Sequence, residues 1–178
     1  MDKRQKLREL QTRLAEKLQA VRSGDVASAA AWLAVETGGK KYLFPLSQSG
    51  EIFPWTAINK VAHTQSWYLG VANIRGSLYG VADFSAFLQG AKTVTRNEAT
   101  RSDSRFVTLS GSLEVNCALY VDRLEGLRST ESFSQSQDPQ SGSPEFYGHV
   151  YVDKNGLSWQ EINLQVLSQQ NSFLNINA

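Results

Sequence analysis

A chain of 178 residues with 41% hydrophobic and 20% charged side chains has the composition of a globular protein, long enough for one ordinary domain or two small lobes around a real core. Its formal net charge of +1 leaves no basic excess for tracking phosphates, so no nucleic-acid partner is expected. The single cysteine, Cys117, excludes an internal disulfide, and no stretch approaches the ~18 apolar residues of a membrane span or the apolar core of a signal peptide, so a reducing, cytoplasmic location is expected.

Residues 2–22 are predicted to form an amphipathic helix, because Leu7, Leu10, Leu14, Leu18 and Val21 recur at spacings of three and four among Lys, Arg, Glu and Gln. The segment 1–22 carries seven basic and three acidic residues, a local +4 against −3 for the remainder, so the helix and the rest of the chain attract. Docking of the apolar stripe on its own domain is the plainer reading; a basic amphipathic helix can also lie on an anionic membrane or pair with partner helices. Residues 23–30 are small and polar, and read as a linker.

From Trp32 onward the pattern turns to strand. Segments 32–36 and 42–46 flank Thr37-Gly38-Gly39, a hairpin signal, and Pro45 and Pro54 mark places where pairing stops or lies at an edge. Further strands are expected at 56–62, 71–75, 78–82, 105–109, 113–127, 147–152 and 157–162, with brief helices at 83–88 and 164–169. Many short strands and few helices favour antiparallel barrels over alternating βα units. Residues 91–104 and the Ser/Gln-rich 129–143 are expected to be long loops.

Chemistry is sparse. The histidine bases available are His63 and His149, neither in a known motif, and Cys117 alternates with Val115, Leu119 and Val121 on one strand face, which places its thiol in apolar company. There is no CxxC, HExxH, acidic Ca²⁺ loop, GxxxxGK[ST] or helix-opening GxGxxG. Neither catalytic residues nor a metal or cofactor site is expected. Two alternatives stand beside a binding module: a β-barrel enzyme using His63 or His149 with a nearby Asp or Glu, and a membrane-surface protein acting through the basic helix.

The most informative run is residues 67–84, WYLGVANIRGSLYGVADF. It resembles the central signature of the CheW-like adaptor family, in which a glycine, an apolar residue, an Asn-x-Arg-Gly turn and an apolar strand ending at Asp follow in order; Gly70, Asn73, Arg75, Gly76 and Asp83 match. Physically, two strands flank Gly76, which can take the positive φ of a tight connection. The likeness extends over roughly 31–175: 32–46 resembles the opening hairpin, Glu51-Ile52 a short element before the next strand, 105–109 and 118–126 with Val121-Asp122-Arg123 a later strand pair, and 147–167 the closing strands and helix. Gly80 departs from the family, which commonly has proline there. The N-terminal helix and the Ser/Gln-rich loop resemble the PilI-like adaptors of type IV pilus twitching systems.

This resemblance implies a mainly β fold of two intertwined five-stranded, SH3-like β-barrel lobes with short helices and an N-terminal helix, divided as helix 1–22, linker 23–30 and CheW-like domain 31–178. It implies no active site. The expected partners are the cytoplasmic tip of a methyl-accepting chemoreceptor and the regulatory domain of a CheA-like histidine kinase, itself of the same fold. Residues implied for partner contact are Glu51, Gly70, Val71, Asn73, Arg75, Gly76 and Val107. Gly70 and Gly76 also suit a purely backbone role, and Arg75 either ties the lobes through carbonyls or a carboxylate or faces the receptor.

Overall fold

A computed structural model describes residues 11–16, 31–90 and 96–178; the rest of the expected 2–22 helix and the 23–30 linker lie outside the described residues. Residues 11–16 (α1) are helical, and Leu14 packs half-buried against the main core. The expected hairpins form with two-residue turns. Strands β1 (Trp32–Thr37) and β2 (Lys40–Pro45) pair up to Thr37 and Lys40, leaving Gly38 and Gly39 at φ 58° and 72°. Strands β4 (Tyr68–Ile74) and β5 (Ser77–Asp83) close on Arg75 and Gly76 at φ 51° and 84°. Positive φ at both central residues gives the turn whose twist matches a hairpin, and glycine at the second position supplies one of the two at little steric cost.

Two sheets result. The middle of the chain builds a five-stranded sheet in the order β3-β6-β7-β5-β4, with β3 at Ser49–Pro54, β6 at Arg105–Leu109 and β7 at Cys117–Val121. The two ends of the chain build a six-stranded sheet in the order β8-β1-β2-β11-β10-β9, adding β8 (Arg123–Arg128), β9 (Phe133–Gln137), β10 (Tyr147–Asp153) and β11 (Ser158–Ile162). The chain crosses between sheets at 46–48 and again at Asp122, the single residue between β7 and β8. Short helices α2 (Phe84–Gln89), α3 (Glu98–Asp103), α4 (Leu164–Gln169) and α5 (Asn171–Leu174) complete the fold.

Burial follows the two-residue period of the strands, but on both faces. In β7, Cys117, Leu119 and Val121 enter the main core, while Ala118 and Tyr120 point to a smaller cluster with Ala72, Ile74, Val81 and Phe106. In β1, Leu33 and Val35 enter the same main core, and Trp32 and Ala34 join Leu43 and Trp159 on the other side. One core is therefore shared by the two sheets, and each sheet has a second core of its own. Cys117 is buried, and loss of solvation pushes its thiol up to about 12, so the nucleophilic thiolate is disfavoured.

Several expectations are corrected. One sheet has six strands rather than five, because the expected loop 129–143 contains β9, paired along β10. Only Phe133 of that strand is anchored in an apolar cluster; Ser134 to Gln137 are exposed, so no alternation announced it. The expected strand 113–127 is broken at Asp122 into strands of different sheets. The loop 91–104 contains α3, capped where Asn97 Oδ1 accepts the Thr100 N–H at 2.8 Å. The expected strand 56–62 is irregular apart from one bridge between Asn59 and Val71, whereas 49–54 is a full edge strand ending at Pro54.

That bridge explains Gly70. Asn59 and Val71 exchange two backbone hydrogen bonds of 2.8 Å, drawing segment 55–66 over the start of β4 so closely that a Cβ on Gly70 would lie 2.1 Å from the Asn59 carbonyl oxygen. Gly70 also sits at φ 131°, while Gly76, at φ 84°, has open space around it. Gly70→Ala is therefore expected to destabilise by more than ~2 kcal/mol, and Gly76→Ala by only ~1 kcal/mol of backbone strain, measured by urea unfolding. Equal losses would contradict this packing.

Candidate functional site

The β4–β5 hairpin carries five of the seven residues singled out by sequence, Gly70, Val71, Asn73, Arg75 and Gly76. Asn73 Oδ1 accepts the Gly76 N–H at 2.9 Å, which holds the turn from within and projects the intervening Arg75 outward. The Arg75 guanidinium donates to Glu51 Oε2 at 2.9 Å and lies 5.2 Å from the centre of the Phe53 ring. Glu51 is itself positioned by β6: its N–H donates to Thr108 Oγ1 at 2.7 Å, and its carbonyl accepts that hydroxyl at 3.2 Å. Since β3 and β4 are the two edges of the five-stranded sheet, the Arg75–Glu51 pair brings its edges together and closes it toward a barrel.

Exposure decides what that pair is worth. The Arg75 side chain is 77% exposed and that of Glu51 52%, so the pair contributes between 0 and about 1 kcal/mol to folding. Its two charges remain available to a partner. Asn73 and Gly76 are exposed beside it, and so is Leu78, directly across from Asn73 in the ladder. Leu78 is one of the few large apolar side chains left exposed among the described residues, at 62%. Val71 is half-buried and Gly70 is buried beneath Asn59. Val107 is fully buried in the main core on β6, between β3 and β7, and presents no surface; its expected contact role is corrected.

A second charged cluster lies inside. Arg96 donates to Asp83 Oδ2 at 2.7 Å and also to Asp122 Oδ1, with its guanidinium 4.3 Å from the centre of the Tyr120 ring. Asp122 Oδ2 accepts the Gly38 N–H at 2.8 Å, and Asp83 Oδ1 caps α2 by accepting the Ala86 N–H at 3.2 Å. The Arg96 and Asp83 side chains are only 9% and 2% exposed. Here the desolvation cost is large, and complete pairing is what makes the cluster tolerable. Asp83 and Asp122 stand in segments that carried the family likeness; Arg96 sits in what read as a loop, and no spacing signalled it.

The residues weighed for catalysis are dispersed. His63 and His149 are both exposed; His149 Nε2 lies 3.1 Å from Asp138, itself almost wholly exposed. Among the described residues no three His, Cys, Asp or Glu side chains gather in a group that could hold a metal ion, and no helix is long and apolar enough to cross a membrane.

Against known proteins, the CheW-like domain matches residues 31–171, most of the chain and both sheets. The chain belongs to the CheW-like family. Within curated relatives, the protein PilI of Pseudomonas aeruginosa is 24% identical over 141 residues, covering 78% of this chain and 75% of PilI. The crystal structure of the scaffolding protein CheW from Thermoanaerobacter tengcongensis superposes with a TM-score of 0.62 at 17% identity, covering 81% of this chain and 95% of that one, a likeness of fold. The CheW-like match begins at residue 31, where the strand pattern begins.

The two arginines should respond very unequally to removal. Arg96→Ala strands two carboxylates, one of them almost wholly buried, and is expected to cost roughly 3 to 5 kcal/mol, whereas Arg75→Ala is expected to cost under about 1 kcal/mol. Urea unfolding of both variants checks the ranking; a folded Arg96→Ala of full stability would show the cluster to be dispensable.

Proposed function

We propose that the protein is a non-catalytic adaptor that holds the cytoplasmic tip of a methyl-accepting chemoreceptor against the regulatory domain of a CheA-like histidine kinase, in a chemosensory system controlling type IV pilus twitching motility. Membership of the CheW-like family and the relationship to PilI support the class and the pilus setting. The observation that carries the reading is the exposed Arg75–Glu51 pair, with Arg75 on a hairpin turn held by Asn73 and Glu51 on β3 held by Thr108. A charge held rigidly at the surface, worth little to folding, is suited to recognition. The mechanism is positional: two partners held on one rigid scaffold, each contact modest, with avidity in a receptor array supplying the remaining affinity. Such an adaptor works in the cytoplasm, at membrane-associated receptor arrays.

The pair also allows interface and scaffold to be separated. Arg75→Glu is expected to leave unfolding within about 0.5 to 1 kcal/mol of wild type while weakening co-sedimentation with receptor–kinase assemblies. The swapped double variant Arg75→Glu with Glu51→Arg restores an ion pair with reversed polarity, and partner binding is expected to stay lost. Recovery of binding in the swap would reassign the pair to holding the hairpin.

We further infer that 31–178 is the adaptor domain, 1–22 an accessory helix and 23–30 its linker, with Leu14 seated on the main core. A chain lacking residues 1–22 is expected to remain soluble and folded with a lowered melting temperature. Insolubility of that truncation alone would make the helix integral to the core.

A further inference from the structure

At the other end of β4 from Arg75, roughly 20 Å away for seven extended residues, an open groove of about 570 Å³ lies between segment 55–66 and α3. Its walls combine Trp55 and Val61, two of the exposed large apolar side chains, with Ile58 and Leu69, which continue inward to the smaller core of the five-stranded sheet. Its charges are all of one sign. Lys60, Arg96 and Arg101 line it, and no Asp or Glu does.

Arg96 is neutralised by Asp83 and Asp122, but no ion pair among the described residues involves Lys60 or Arg101. The Arg101 guanidinium instead lies 5.1 Å from the centre of the Trp55 ring. Placed in that way, its edge N–H groups stay free for a carboxylate while one face is covered by the indole, and both residue types are enriched at binding hot spots.

The groove is also held in shape. Segment 55–66 is pinned at one end by the two Asn59–Val71 hydrogen bonds of 2.8 Å. At the other end the Gln65 N–H donates to the Ile176 carbonyl at 2.7 Å and its side-chain amide to the Asn177 carbonyl at 2.6 Å. A preformed surface loses little ordering entropy on binding.

From these features we propose that the groove docks a short linear segment of a protein partner in which a carboxylate side chain neighbours an aliphatic or aromatic one. The apolar walls bury the hydrophobic residue, and Lys60 and Arg101 take the carboxylate as charge-assisted hydrogen bonds. This contact is separate from the Arg75 corner and does not depend on what binds there.

The test uses the full chain and peptides from an unbiased random displayed library. Selected peptides are expected to be enriched in Asp or Glu next to Leu, Ile or Phe. The most enriched peptide, synthesised and followed by fluorescence anisotropy, should bind at least about tenfold more weakly to Lys60→Glu/Arg101→Glu, whose melting stays at the wild-type temperature, and more weakly as salt rises. Lys154→Glu, a like charge reversal in the exposed β10–β11 turn, should bind as wild type does. On the unmodified protein, amide shifts on adding the peptide should centre on 55–69 and Arg101. Absence of enrichment, enrichment of neutral or basic peptides, indifference to the double reversal, or shifts centred elsewhere would each overturn the proposal.

Discussion

Asp122 is the one residue between a strand of each sheet, and the geometry of the molecule turns on how its carboxylate is held. One oxygen takes the guanidinium of Arg96 and the other the N–H of Gly38 in the β1–β2 turn, while Arg96 reaches on to Asp83 at the end of β5. Three points of the chain remote in sequence are thereby tied where it passes from one sheet to the other. The cluster is a poor source of net stability, since desolvating its charges offsets much of their attraction, but removing Arg96 leaves the almost wholly buried Asp83 carboxylate without its ion-pair partner.

The earlier crossover, at 46–48, is locked by other means. Gln48 Oε1 accepts the N–H of Leu164 at 2.7 Å, serving the first turn of α4, and the Gln48 carbonyl accepts the Ser110 N–H at 2.9 Å. Both passages are short and saturated with hydrogen bonds, and the main core runs unbroken between the sheets. Relative motion of the sheets would have to open that core, which favours a rigid bracket. Rigidity is the property an adaptor needs, because its only means of coupling two partners is to fix their separation and angle.

On that bracket, surface features are spread along β4. Its far end presents the Arg75–Glu51 corner, where a weak, exposed pair closes the five-stranded sheet, and its near end is overlaid by segment 55–66, which Gly70 admits by lacking a Cβ. In each, charge sits beside exposed apolar or aromatic surface, the composition of contact patches.

The sequence by itself determined a good part of this. Period-two alternation and the turns at Gly38-Gly39 and Arg75-Gly76 specify hairpins, the helix at 164–169 appears where it was expected, and Cys117 lies in the core face its neighbours indicated. These are local consequences of backbone geometry and hydrophobic period. Only the tertiary structure decided the rest: that Arg96 pairs with two aspartates distant from it, that Val107 faces inward, that Glu51 meets Arg75, and that Ser134 to Gln137 form a strand. A polar strand acquires its state from the ladder it joins, and a charge acquires its partner from the folded path of the chain. Neither leaves a periodic trace in the residues around it.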